Sequence, residues 1–350
     1  MPKKKILVTG ATGFVGAYLL HHLLQLGEKN IRATKRPLSP MHLVSDIEDQ
    51  VEWMEADIMD TTSLEDAMEG VTQVYHCAAM VSFNGKNAGQ MIRVNQTGTA
   101  NVVNVALDLG VEKLLFVSSI AAIGRHKKQN IIDENTKWQD SKWNSPYATS
   151  KHLAEMEVWR GIAEGLNAVV VNPSNILGSG FWKERTSTGQ FFYKIWSGFP
   201  FYPIGGSGFV DVRDVIRFMV KLMESDISAE RFIINAENLP FKTILDQIAL
   251  SLNMKKPRIK LTPFMGEITW RVVWLISKLT GKEPFITKQM VRASKQNFVY
   301  ENGKSLSIFP FNYTPIKNTL AETAEQFLLS TKDGFRPKVL PFDSQRQLNH

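Results

Sequence analysis

The 350-residue chain carries a single cysteine, Cys77. An internal disulfide framework is therefore excluded, and the composition suits a reducing compartment. Long apolar runs are also missing. The stretch from Trp270 to Leu279 contains Lys278 and is far shorter than the ~20 residues needed to cross a bilayer, so no integral membrane segment is predicted. No secretory leader is read at the start: Met-Pro-Lys-Lys-Lys runs straight into an apolar strand, and a cytoplasmic protein is the expectation. Clusters of cysteine and histidine with metal-ligand spacing are absent, so no metal is expected. His126, in Arg125-His126-Lys127-Lys128, reads as solvated loop. The formal net charge of +7 is spread over short clusters at Lys3 to Lys5, Arg32 to Arg36, Arg125 to Lys128 and Lys255 to Lys260. With no basic helix face and no interleaved aromatics, these clusters predict no nucleic-acid partner. They read as solvated surface and as attraction for an anionic cofactor.

What is present is a globular balance, 43% apolar and 21% charged, in a length that suits roughly two domains of about 150 residues. The first half alternates. Apolar runs at 5–9, 31–35, 51–56, 73–78, 113–118 and 168–171 read as strands, and helical patterns between them cover 14–26, 62–70, 88–109 and 146–164. Thr62 followed by Glu65 gives the second helix a capping box, while Ser145 is the candidate N-cap of the last, with Pro146 in its first turn. Such alternation predicts an α/β fold with a doubly wound parallel sheet, the Rossmann fold. Beyond Pro173 the pattern loosens into a polar loop at 178–189, a short aromatic helix at 190–197 and a Gly/Pro-rich link at 198–208. A helix at 212–223 and a strand at 232–235 then return to the sheet. The sheet domain is expected over 1–178 and 209–236, a smaller, mostly helical substrate lobe over 179–208 and 237–335, and a tail over 336–350. A helix bearing Trp270, Val273, Trp274 and Leu275 is apolar nearly all round, and reads as core, pocket wall or membrane-surface contact.

Gly10, Gly13 and Gly16 follow a strand and open a helix. Glycines in that setting allow a tight turn and a close backbone approach to a pyrophosphate, whose charge meets the helix N-terminus. Thr12, Phe14 and Val15 belong to the same candidate cofactor cradle. The bland alternative is three glycines used for packing alone. The second strand ends Arg32-Ala33-Thr34-Lys35-Arg36, without the carboxylate that NAD enzymes place there for the ribose hydroxyls. Arg36 can hold a 2′-phosphate through charge-assisted hydrogen bonds, so NADP is favoured over NAD, the alternative being a strand that merely ends in solvent. Asp57, with Ile58 beside it, is placed to meet the adenine amino group or, equally, to cap a turn. Tyr147 and Lys151 stand four residues apart and share a helix face. A free tyrosine titrates near about 10, and a neighbouring ammonium with the cofactor's positive ring would bring it toward about 7. Ser118 and Ser119 end the preceding strand at the carboxyl edge, where open α/β sheets bind ligands. Alone, Tyr-x-x-x-Lys is ordinarily just helix surface. The glycine loop and the paired serines make it a candidate hydride-transfer site.

Together these residues resemble the extended short-chain dehydrogenase/reductase family, also called the epimerase/dehydratase family. His76-Cys77-Ala78-Ala79 is similar to the family's segment beside the cofactor, and Asn95-Gln96-Thr97-Gly98-Thr99-Ala100-Asn101 to its Asn-x-x-Gly-Thr-x-Asn helix. Val117-Ser118-Ser119 followed by Gly124 resembles the catalytic serine strand, with Ser119 in the catalytic place. Asn172-Pro173-Ser174-Asn175 lies where the family touches the nicotinamide, although an arginine is more usual at 172, and Phe209-Val210-Asp211-Val212-Arg213-Asp214-Val215 resembles the return segment. The resemblance spans about residues 5 to 330. It implies Ser119, Tyr147 and Lys151 as catalytic residues. Ala78, Ala79, Asn95, Ser118, Pro173, Ser174 and Asn175 would flank the cofactor. Relatives often dimerise through the helices at 88–109 and 146–164, which implies a homodimer. Arg32-Ala33-Thr34-Lys35-Arg36 most resembles the dihydroflavonol-reductase-like branch, and Thr280-Gly281-Lys282 the 3β-hydroxysteroid-dehydrogenase-like branch.

The leading expectation is an NADP-dependent oxidoreductase that reduces a ketone or aldehyde, or oxidises the alcohol, with small-molecule substrate and cofactor as its partners. A sugar-nucleotide epimerase or dehydratase using NAD is the alternative among enzymes. Against a dehydratase, Ile120-Ala121-Ala122 offers none of the acid/base groups that such members add after the serine. A non-catalytic NADP-binding or redox-sensing protein is the other class, disfavoured because Tyr147 and Lys151 are both kept. Phe181, Trp182, Phe191, Phe192, Tyr193, Trp196, Phe199, Phe201 and Tyr202 put nine aromatics into 22 residues beside the expected cleft. That density predicts an apolar pocket and a largely apolar substrate.

Overall fold

The computed structural model describes residues 4–82, 85–124, 130–141, 144–184, 187–262, 265 and 297–342. The chain begins β1 (Ile6–Thr9), α1 (Phe14–Gln25), β2 (Ile31–Lys35), β3 (Glu52–Glu55), α2 (Thr61–Met68), β4 (Gln73–His76), α3 (Ala88–Asp108) and β5 (Lys113–Val117). A two-residue strand, β6 (Ile131–Ile132), precedes α4 (Pro146–Ala163), β7 (Ala168–Pro173) and β8 (Asn175–Leu177). Next come α5 (Gln190–Trp196), β9 (Phe201–Tyr202), β10 (Gly206–Asp211), α6 (Val212–Glu224), β11 (Glu230–Ile234) and β12 (Glu237–Pro240). The described chain closes with α7 (Phe241–Ser251), β13 (Ile259–Lys260), β14 (Val299–Tyr300), α8 (Gly303–Ile308) and α9 (Ile316–Thr331).

Seven strands form one parallel sheet in the order β11-β7-β5-β4-β1-β2-β3. β5 and β7 are buried at every residue, which is why they read as unbroken apolar runs rather than alternating ones. α1 and α6 cover one face through Tyr18, Leu19, Val215 and Phe218. On the other face α2, α3 and α4 contribute Leu64, Val102 and Ala154. A side chain such as Phe116, wholly buried between these layers, contributes about 1.5–3 kcal/mol through its removal from water. Strand order reverses between β1 and β4. Their carboxyl ends therefore open a crevice, the place where doubly wound sheets take ligands.

Ser145 caps α4 as the sequence predicts, its hydroxyl accepting from the Ala148 N–H at 3.1 Å. The capping box at Thr62 does not form. Asp60 caps α2 instead, accepting from the Thr62 N–H at 3.2 Å, because a carboxylate in extended backbone stands two residues earlier. The stretch 198–208 is more than a link: it holds β9 and the start of β10, which joins β8 and β12 in a separate three-stranded sheet. Its glycines and prolines mask strands too short to show a period. A second core gathers Trp182, Phe192, Ile195, Ile248, Leu320 and Phe327 from the turn after β8 and from α5, α7 and α9. Within the expected tail, Leu340 is buried against α1, where its N–H donates to the Tyr18 hydroxyl at 2.9 Å, and Phe342 stacks on His22.

His126, the Trp270–Trp274 helix and Thr280-Gly281-Lys282 lie outside the described residues. Among the described residues no helix is long and apolar enough to cross a membrane, and no group of three His, Cys, Asp or Glu could hold a metal ion.

Candidate active site

At the end of β1 the backbone turns through Gly10, whose φ of +65° lies in the left-handed region. A Cβ added there would sit 2.6 Å from the Ala78 backbone, so only glycine lets the loops after β1 and β4 touch. A Cβ at Gly16 would meet the Gly10 carbonyl at 2.4 Å. Thr12 lies in the turn, and Gly13 enters α1 with no side chain capping the helix. The first-turn amides around Phe14 and Val15 are thus left without a side-chain acceptor, an arrangement that fits a dinucleotide pyrophosphate.

Two arginines of one strand serve different ends. Arg32 is buried, and its guanidinium donates to the carbonyls of Asp66 (3.2 Å), Ala67 (2.9 Å) and Glu69 (3.2 Å) and to the Glu52 carboxylate (2.7 Å). It caps the carboxyl end of α2. Arg36 is exposed at the crevice edge, its backbone N–H donating to the Ser39 hydroxyl at 3.0 Å. Asp57 is exposed and accepts the Met59 N–H at 2.9 Å, which is the turn role. The Ile58 side chain packs where a Cβ at Gly98 would meet it at 2.4 Å.

Across the crevice, His76 joins three elements. Its Nδ1 lies 2.7 Å from the Thr9 hydroxyl and its Nε2 3.1 Å from that of Thr99, and the Ala78 N–H donates to Thr9 Oγ1 at 3.3 Å. Burial, aided by the charge of Lys151, pushes its pKa down to about 3. Asn95 accepts from the Met80 N–H (2.7 Å) and donates to the Met80 carbonyl and the Ser150 hydroxyl (both 2.9 Å). That ties the loop carrying Ala78 and Ala79 to α4.

Past β5, Ser119 turns its hydroxyl to accept the Ala121 N–H at 3.1 Å, and it lies near enough to the Tyr147 phenol to act on its pKa. Burial raises the Tyr147 pKa and outweighs the lowering by Ser119. The expected lowering by Lys151 is not seen here. The ammonium donates instead to the Val117 carbonyl at 2.7 Å and lies 4.5 Å from the Phe116 ring centre. Burial brings the Lys151 pKa down to about 8, against the pull of Glu155 and Cys77. Burial also pushes the Cys77 thiol up to about 12.

Ser118 faces inward and donates to Glu155 Oε2 at 2.6 Å. Pro173 ends β7, and Ser174 follows with a buried hydroxyl that has no partner among the described residues. The Asn175 amide donates to the Ser207 hydroxyl and the Gly208 carbonyl, both at 2.8 Å. Sequence reasoning passed over Glu155 and Arg231, paired at 3.1 Å behind the site. The available signal was spacing, since Glu155 stands four residues after Lys151 on the same helix face.

Several of the aromatics form a core, as a lobe requires. Trp182 and Phe192 fill the second core, with Phe191, Tyr193 and Tyr202 packed against it, and Phe199 lies on Phe201 with ring centres 5.4 Å apart. The loop after β4 exposes two apolar residues, Ala79 and Val81.

Residues 6–235 match the NAD dependent epimerase/dehydratase family. A putative dihydroflavonol 4-reductase of Synechocystis sp. is 29% identical over 332 residues, which is 91% of this chain and 93% of that one. Sterol demethylase protein B of Methylococcus capsulatus is 32% identical over 73% of this chain and 77% of its own. Among solved structures, the UDP-glucose 4-epimerase of Thermotoga maritima superposes with a TM-score of 0.74 at 19% identity, over 93% of this chain and 99% of that one, a likeness of fold. The chain therefore belongs to the NAD-dependent epimerase/dehydratase family and is an NAD(P)-dependent oxidoreductase.

Proposed function

We propose that this chain reduces the carbonyl of a largely apolar small molecule with NADPH, and can run the reaction in reverse on the alcohol. The observation that carries the reading is the convergence at the carboxyl end of β5 of Ser119, whose hydroxyl lowers the Tyr147 pKa, and of Lys151, one turn beyond Tyr147 on α4, whose ammonium donates to the Val117 carbonyl at 2.7 Å. The turn from Gly10 to Gly16 and the start of α1 would hold the pyrophosphate, Arg36 and the Ser39 hydroxyl the 2′-phosphate, and Asp57 the adenine. The unpartnered Ser174 hydroxyl would meet the nicotinamide end. When bound, the dinucleotide supplies a hydride to the carbonyl carbon. Ser119 orients the carbonyl oxygen, and Tyr147 gives it the phenolic proton, leaving the alcohol. Lys151, whose ammonium donates to the Val117 carbonyl, would bind the nicotinamide ribose and favour the phenolate through its charge.

The apolar substrate is supported by the exposed Ala79 and Val81 in the loop after β4. Relatives named for a flavonoid reductase and a sterol-modifying enzyme point the same way. The buried Ile120, Ala121 and Ala122 after the serine leave no added acid or base for dehydration. The test is a screen of aryl, terpenoid, steroid and acyl-chain ketones and aldehydes with NADPH, beside UDP- and GDP-sugars. Turnover is expected with apolar carbonyls, and in Tyr147→Phe it should fall by about 10² or more while NADPH still binds. Stabilisation by nucleotide sugars alone, or undiminished turnover by Tyr147→Phe, would overturn the proposal.

A further inference from the structure

Glu155 is 2% exposed and stands one helical turn beyond Lys151, two beyond Tyr147. Its carboxylate is shared among three strand ends. Oε2 accepts the Ser118 hydroxyl at 2.6 Å and the Asn172 amide at 2.8 Å. Oε1 accepts from Arg231 at 3.1 Å and from the Trp159 indole at 3.3 Å. Asn172 donates in turn to the Ser119 carbonyl at 3.0 Å. Arg231, on β11, also donates to the carbonyls of Glu134 (2.9 Å) and Thr136 (3.4 Å), in the loop that precedes α4.

We infer that Glu155, held by Arg231, is a positioning residue: it clamps the ends of β5 and β7 so that Ser119 meets Tyr147, and it keeps an anion beside the Lys151 ammonium. The inference rests on the proposed reading of Ser119, Tyr147 and Lys151, and it adds the device that sets their geometry and charge. A buried carboxylate is costly unless it is paired and its oxygens are hydrogen-bonded; here Arg231 and Trp159 hold one oxygen, and the other is given to Ser118 and Asn172 at the catalytic edge. A stability role alone would be served as well by apolar packing.

Several charged or titratable groups face this region. Lys151 is flanked by Glu155 on α4 and by His76 and Cys77 at the end of β4. Glu155 is faced by Arg231 from β11 and by His152, which also senses Asp140. Removing the carboxylate withdraws a charge that favours the Lys151 ammonium, and frees Ser118 and Asn172. In the cofactor-bound protein of the proposed reading, a less charged Lys151 and a displaced Ser119 would both disfavour the Tyr147 phenolate, so the two effects add in direction.

The test is the titration of Tyr147 itself, followed by NMR of ring-labelled tyrosine in the protein saturated with NADP, the resonance being assigned by its loss in Tyr147→Phe. In Glu155→Gln the midpoint should rise by about one pH unit or more. Because that change leaves Arg231 without its carboxylate partner, Glu155→Gln/Arg231→Gln is measured beside it: both charges of the pair are gone, and the rise should persist. A Tyr147 midpoint that stays within about 0.3 unit of the unchanged protein in both folded variants would overturn the inference. Turnover surviving Tyr147→Phe would instead refute the proposed reaction, and the two failures are thereby distinguishable.

Discussion

The two sides of the crevice are built from different materials. On the glycine side, after β1, the working groups are backbone amides, and Gly10 and Gly16 are fixed by contacts a Cβ would forbid. On the serine–tyrosine side, after β5 and along α4, the working groups are side chains, and each leans on another: Tyr147 on Ser119, Ser119 on Asn172, Asn172 on Glu155, Glu155 on Arg231. A backbone site tolerates change everywhere except at the residues that lack a side chain. A side-chain site can be detuned from a distance without losing any group that touches the substrate.

That contrast can be broken first at Gly10. Gly10→Ala places a Cβ in a left-handed backbone and 2.6 Å from the Ala78 backbone, so both loops must move. A loss of about 3 kcal/mol in unfolding free energy is expected, together with at least a tenfold weaker dinucleotide affinity. Denaturant unfolding and cofactor titration measure the two. Stability lost with affinity intact would mean that the loop holds the fold and not the cofactor.

The seam between the two sides is sharpened by pH. His76 takes up a proton below about 6.5 in the unfolded chain but only below about 3 in the fold. Between those values the unfolded state binds more protons, so stability present above 6.5 is lost as pH falls toward 3. By about pH 4 the loss from this one residue amounts to about 3 kcal/mol. His76→Gln should flatten the slope of unfolding free energy against pH over that range. An unchanged slope would show that burial does not hold the imidazole neutral.

The smallest effect is expected at the crevice edge. With Arg32 occupied at α2, Arg36 is the strand's remaining guanidinium for a 2′-phosphate. NADPH should bind about tenfold tighter than NADH, and Arg36→Ala should erase most of that gap, about 1.4 kcal/mol, with NADH affinity little changed. Preference for NADH in the unchanged protein would sink the assignment.

The sequence by itself determined the alternation of strands and helices, the glycine loop, the Ser145 cap and the Tyr147–Lys151 face. Each of these depends on residues within about one turn or one strand of each other, where spacing fixes geometry. Tertiary structure decided the rest. Arg32 and Arg36 look alike in the chain, and only the approach of α2 beneath β2 separates the helix cap from the exposed edge. The aromatics from Phe181 to Tyr202 look like a pocket, and only the packing of α7 and α9 claims Trp182 and Phe192 for a core. Glu155 reads as an ordinary helix carboxylate until β11 brings Arg231, 76 residues away, to within 3.1 Å. Contacts of that separation carry no local period, because chain topology and not spacing puts the partners together.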